Sequence, residues 1–199
     1  MISVEKGPVP RLLMRKGAVW QQQWSAMVAH YGDQDQVPRH LLQPLKHYRA
    51  QDLVAALFAE SRGKCVYCEC MPDREAYDVE HFLPKPEYPE AVFRWSNLMA
   101  VCRPCNAAKA DFDTGRLPLI DPTRQDPTPY FSFDGPDMLV APQAPDYYLA
   151  ERTLEVLDLN RPALLDARAR ALAAHDGSLP GPEHAFSACL RHAAGGSGG

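Results

Sequence analysis

Two Cys-x-x-Cys turns, Cys65-x-x-Cys68 and Cys102-x-x-Cys105, stand 33 residues apart. Each turn brings two thiolates within reach of one ion, and two such turns complete the tetrahedral sulfur set that Zn²⁺ prefers. A Cys₄ site has no open position, so it holds the chain and does not itself activate water. The residues around either turn do not read as βαβ, which argues against a thioredoxin-like redox role. Cys70 and Cys189 are left over; Cys70 could serve as a spare ligand or stand as a free thiol.

The zinc turns enclose a second set of residues. "DVEHFLPK" (78–85) carries Asp78, Glu80 and His81, "WSNL" carries Asn97, and Asn106 and Lys109 follow the second turn. A Glu-His pair alone is a weak signal. Here, however, a metal clamp would turn residues 69–101 into a loop anchored at both ends, holding reactive groups in place despite a small core. In a regular strand Glu80 and His81 point to opposite faces. They could meet one metal only if the strand ends or bulges there, and Pro84 makes an end plausible. Asp78 shares a face with Glu80 and reads as a further ligand, a supporting residue or a solvated acid.

These residues need elements to position them. The pattern "AVWQQQWSAMVAHY" (18–31) predicts a helix after a polar, extended arm through residue 16. Residues 40–64 predict a helix in two pieces, broken at Pro44 and ended near Gly63. "YDVEHF" and "LMAV" predict short strands, with a helix after Arg103. "YFSFDGPDMLVA" predicts a hairpin turning at Asp134-Gly135, and two amphipathic helices follow on either side of Asn160. The divisions expected are 1–64 (arm and helices), 65–116 (zinc-bearing centre), 117–176 (hairpin and helices) and 177–199, a flexible tail. The Gly/Ser-rich end, "AAGGSGG", is left out of the fold.

The 46% hydrophobic and 23% charged composition is that of a globular protein, and the longest clean apolar run, "LVAALFA", is too short to cross a bilayer. With no signal-peptide pattern at the start, the expectation is a cytoplasmic protein whose cysteines bind metal and form no disulfides. Net charge is −4, which counts against binding nucleic acid by charge alone. The charge is uneven: residues 1–50 carry seven Lys/Arg (Lys6, Arg11, Arg15, Lys16, Arg39, Lys46, Arg49) against three acids. That arm could follow a phosphate backbone, or simply be solvated.

Glu80-His81, Asn97-Leu98 and "CRPCNAAK" resemble the HNH endonucleases, the zinc-ribbon branch of the ββα-metal nucleases. The family pattern is an acid or His before the catalytic His, a central Asn-Leu, and a terminal His or Asn in CxxCNxxK. The last position here is Asn106, and the usual Gly-Gly stretch is replaced by "KPEYPEAVFRW". The resemblance implies an α+β fold: a zinc-ribbon-stabilised ββα-metal core with flanking helices and a small hairpin. It implies a catalytic Mg²⁺ or Mn²⁺ on Glu80 and Asn106, since hard cations take oxygen ligands. His81 would be the general base, with Glu80 beside it in the catalytic set. Asn97 would orient His81, while Lys109 and Lys85 would meet DNA phosphates.

The likeness reaches further. "ISVEKGPVPRLL", "LPLIDPTRQDP", "YFSFDG" and "LDLNRPALLDARAR" follow, in order, a bacterial subfamily of HNH proteins associated with retrons and with the Septu anti-phage system. Those proteins pair with an ABC-type ATPase. The resemblance thus implies a defence effector nuclease with DNA and an ATPase as partners. The alternative is a non-catalytic zinc-ribbon subunit that binds nucleic acid or protein; the four cysteines fit it equally well.

Overall fold

A computed structural model describes residues 1–73 and 76–195. Helices and two small antiparallel sheets make an α+β structure, as expected. The first helix, α1 (Arg11–Tyr31), starts earlier than the sequence reading placed it. Leu13 and Gly17 extend the buried stripe of Trp24 and Val28 back toward Pro10, so residues 11–16 belong to the helix and not to an extended arm. Gly32, at φ +81°, ends it in the left-handed conformation.

Residues 1–9 are extended but fastened down. Ile2 N–H donates to Val66 O and Val4 N–H to Pro122 O. Lys6 Nζ lies 2.6 Å from Glu60 Oε2, donates to Leu98 O and stands 3.8 Å over the Trp95 ring. Lys6 is therefore committed inside the fold and does not belong to a phosphate-following arm. Next come a short helix α2 (Arg39–Leu42), two 3-10 turns (Gln43–Leu45 and His47–Arg49) and α3 (Gln51–Glu60), with Pro44 at the first break as expected.

Strands β1 (Tyr77–His81) and β2 (Leu98–Cys102) pair antiparallel, one-to-one from Tyr77↔Cys102 to His81↔Leu98. β2 is buried throughout. Leu98 and Ala100 join an apolar cluster with Trp24, Tyr48, Leu53, Val92 and Trp95, and Met99 and Val101 join another with Val66, Ile120, Leu157 and Leu164. A strand buried on both faces needs no polar alternation, which is why "LMAV" reads as an unbroken apolar run. Helix α4 (Arg103–Lys109) follows directly and packs on both strands.

The second sheet is the hairpin β3 (Phe131–Asp134) and β4 (Asp137–Val140), with Gly135 at φ +54° in the turn. Helices α5 (Tyr147–Val156) and α6 (Pro162–Ala173) match the two amphipathic segments. The flexible tail expected over 177–199 is corrected in part. Residues Ser187–Gly195 form α7, which buries Ser187, Cys189 and Leu190. Apolar burial outweighs the Gly-rich composition that follows, and residues 196–199 lie outside the described residues. Among the described residues no helix is long and apolar enough to cross a membrane.

Leu53 is 0% exposed under the β1–β2 sheet. Leu53→Ala should destabilise the protein by about 2–5 kcal/mol in urea unfolding, whereas Met14→Ala on the open face of α1 should stay within about 0.5 kcal/mol.

Candidate functional site

The two Cys-x-x-Cys turns meet. The sulfurs of Cys65, Cys68, Cys102 and Cys105 all lie within 4.8 Å of one another, and all four residues are buried. The first turn closes through Glu69 N–H to Cys65 O and Cys65 N–H to Cys70 O, with Glu69 at φ +64°. The second is the step from β2 into α4. The thiols divide their protons. Burial pushes Cys65 well above the ordinary range, while hydrogen bonds from Cys105 first and Cys65 next drive Cys102 well below it. Four sulfurs this close cannot all ionise without a cation, and a soft tetrahedral set fits Zn²⁺. Cys70, half-buried beside the cluster, lies outside the set of four.

Sequence reading missed a residue here. Arg161, at the start of α6, points its Nη2 at the cluster, 3.3 Å from Cys105 Sγ and 3.8 Å from Cys102 Sγ. A cation at the thiolates would offset the net negative charge of a zinc-tetrathiolate centre. Nothing in the local sequence signals this, because 56 residues separate Arg161 from Cys105.

The cluster holds both ends of the β1–loop–β2 segment, and the pleat of β1 divides the candidate residues. Asp78 and Glu80 face α4, where residues three apart along the helix meet residues two apart along the strand. Asn106 Nδ2 donates to Asp78 Oδ2 at 3.0 Å. Lys109 Nζ lies 2.7 Å from Glu80 Oε1 and donates to His81 O at 3.0 Å. Both partners of the Glu80–Lys109 pair are buried. Burial raises the Glu80 pKa, with Lys109 acting against that.

This arrangement departs from the expected one in two respects. Asn106 meets Asp78, not Glu80, through its amide nitrogen, so the candidate pair is Asp78 and Asn106. Lys109 is 1% exposed, so it props up the end of the strand and does not reach out to a phosphate.

His81 faces the other way. The strand runs regularly to its end, so Glu80 and His81 do not converge. The His81 Nε2 lies 3.0 Å from Val92 O. A carbonyl only accepts, so Nε2 carries the proton and Nδ1 keeps its lone pair. Nδ1 is buried and has no hydrogen-bond partner among the described residues. Burial first, and then the charge of Lys85, hold the imidazole pKa well below its ordinary value, so the ring is neutral. Tyr48 stands edge-on to it with ring centroids 4.6 Å apart.

Asn97 fixes the loop between these parts. Its Oδ1 accepts from Leu83 N–H at 2.7 Å, and its Nδ2 donates to Leu83 O and Ala91 O, each at 3.1 Å. Ala91 precedes Val92, whose carbonyl sets the His81 tautomer. Lys85 is half-buried, its Nζ 6.0 Å from the Tyr48 ring centroid. The arrangement offers a neutral proton acceptor on one face of the strand end, hard oxygen donors on the opposite face, and cations nearby.

Over 75 residues the chain is 47% identical to the Septu protein PtuB of Bacillus thuringiensis. That match takes in 37% of this chain, and the chain spans 29% of that protein's length. No family model matches the sequence.

Zinc analysis of the purified protein should find one ion per chain. Cys105→Ser should lose it and lower the melting temperature by more than about 10 °C, since structural zinc binding is itself folding free energy.

Proposed function

We propose that this chain is a metal-dependent endonuclease of the HNH type that hydrolyses DNA phosphodiester bonds. The observation that carries this reading is the buried, unpartnered Nδ1 of a neutral His81. A structural histidine inside a fold normally has both nitrogens satisfied, because an unpaired buried polar atom costs about 1–3 kcal/mol. Here Val92 O takes up Nε2–H, which leaves the Nδ1 lone pair to act as the general base needs it to.

His81 takes the proton of the attacking water at Nδ1. Val92 O, bonded to Nε2–H, then stabilises the imidazolium. Asn97 is a positioning residue that holds the Ala91–Val92 turn and the Leu83 backbone. Asp78 and Asn106 would hold Mg²⁺ or Mn²⁺ through the carboxylate and amide oxygens, and the donor types suit either ion. When bound, such a cation neutralises charge developing on the phosphate. Glu80 could join only by leaving Lys109.

The likeness to a Septu protein supports a role in anti-phage defence; an ABC-type ATPase that directs or restrains the nuclease is proposed here as its working partner. A second reading, a zinc-ribbon subunit that binds DNA without cutting it, gains support from the buried Glu80–Lys109 pair, which withdraws one acid from any catalytic metal.

Plasmid cleavage with Mg²⁺ and with Mn²⁺ separates the two. His81→Ala should cut about 10²–10⁴-fold more slowly at unchanged zinc content. Equal cutting by parent and variant would sink the role of His81. Binding with no cutting by either, with the ATPase also present, would favour the second reading.

A further inference from the structure

Lys46 and Arg49 lie on the turns between α2 and α3, and Lys85 lies on the loop after β1. The fold sets Lys85 Nζ 6.0 Å from the centroid of the Tyr48 ring, and Arg49 follows Tyr48 in the chain, three residues after Lys46. Tyr48, next to Arg49 in the chain, packs edge-on against His81 and faces Lys85 from its other surroundings. Arg49 Nη2 reaches to 3.8 Å from Asp78 Oδ1, and its side chain remains 58% exposed. Arg49 and Lys85, from two separate segments, therefore border Asp78 and the Tyr48 ring that packs on His81, and Lys46 is close enough to Lys85 to act on its charge.

These cations act on one another. Burial first, then Arg49 and Arg39, pull Lys46 below its ordinary pKa. Burial also pulls Lys85 down; Glu80 and Asp111 oppose that, and Lys109 and Lys46 reinforce it. Among the described residues neither Lys46 nor Lys85 has an ion-pair partner, and the long, solvent-open Arg49–Asp78 pair stabilises little. Like charges crowded together destabilise a fold unless an anion offsets them. The anion must be one that engages several cations spaced along a surface, as a nucleic-acid backbone does. Lys109 is buried and cannot serve.

We propose that Lys46, Arg49 and Lys85 form the seat for the DNA backbone and set a phosphate against His81, an inference that rests on the nuclease reading. The 3-10 turn before α3 is then part of the substrate site, although it lies outside the segment enclosed by the cysteines. Asp78 holds Arg49 only loosely, so the guanidinium is free to turn to a phosphate.

The test measures binding of a short duplex by fluorescence anisotropy across a salt series, with no divalent cation added and with zinc content checked. In the His81→Ala background, adding Lys46→Ala and Arg49→Ala should lower the slope of log K against log salt by about two. Lys85→Ala should lower it by about one. A double variant of equal charge change at exposed positions on α6 and α7, Arg170→Ala with Arg191→Ala, should leave the slope unchanged. The charge-keeping pair Lys46→Arg with Arg49→Lys should restore it, which guards against a folding defect. A slope that stays at the parent value, or that falls equally in the control, overturns the seat; so does a parent protein that does not bind the duplex. Cleavage is scored separately. A lowered slope without cleavage in the protein with His81 intact keeps the seat and removes the nuclease, and cleavage with an unaltered slope does the reverse.

Discussion

Four sulfur atoms within 4.8 Å of one another are the constraint on which the rest of this structure depends. As thiolates they repel, so the ionised cluster requires positive charge. Arg161 brings part of it from the start of α6, and a divalent ion would supply the remainder. The tie joins the chain just after α3 to the start of α4. It closes the segment between them at both ends, which lets a two-stranded sheet hold its shape where an isolated hairpin would be marginal. The first turn also anchors distant chain: Glu69 pairs with Lys64 and the Met1 amino group, and it accepts from Ser187 on α7.

The pleat of β1 then sorts the chemistry. Residues 78 and 80 face α4 and residue 81 faces Tyr48, because the pairing with β2 continues regularly to the end of the strand. One face thus holds carboxylates with their amide and ammonium partners, and the other holds an imidazole among aromatic rings. The two faces communicate at the strand end, where Lys109 binds both the Glu80 carboxylate and the His81 carbonyl. Asn97 provides the same kind of stiffness for the loop that the cysteines provide for the segment as a whole. Three hydrogen bonds from one buried amide fix where the chain turns after β1 and where it returns before β2.

Much of this was legible in the chain. The Cys-x-x-Cys spacing gave the cluster, since two turns of that size admit few other uses. Periodicity placed α3, α5 and α6 and the β3–β4 hairpin, and the bare strand signals at "YDVEHF" and "LMAV" proved to pair with each other. The difficulty of turning Glu80 and His81 to one point was also visible, because strand alternation is a local rule. Less legible were the ends. α1 begins at Arg11 because Leu13 finds a buried partner surface, and α7 forms because Cys189 and Leu190 do; composition alone suggested an arm and a tail.

The sequence by itself determined the local chemistry of this protein: which residues can bind soft or hard metal, which faces of a strand they occupy, and where helices break. Those properties follow from covalent spacing and backbone geometry over a few residues. Only the tertiary structure decided the partners. Lys109 turned inward to Glu80, Asn106 met Asp78, Arg161 came to the sulfurs, Arg49 reached Asp78, and Tyr48 arrived beside His81 from more than thirty residues away. Such pairings depend on how whole elements share one buried volume. The free energy of desolvating a charge, which selects among them, has no value until the surroundings of that charge exist.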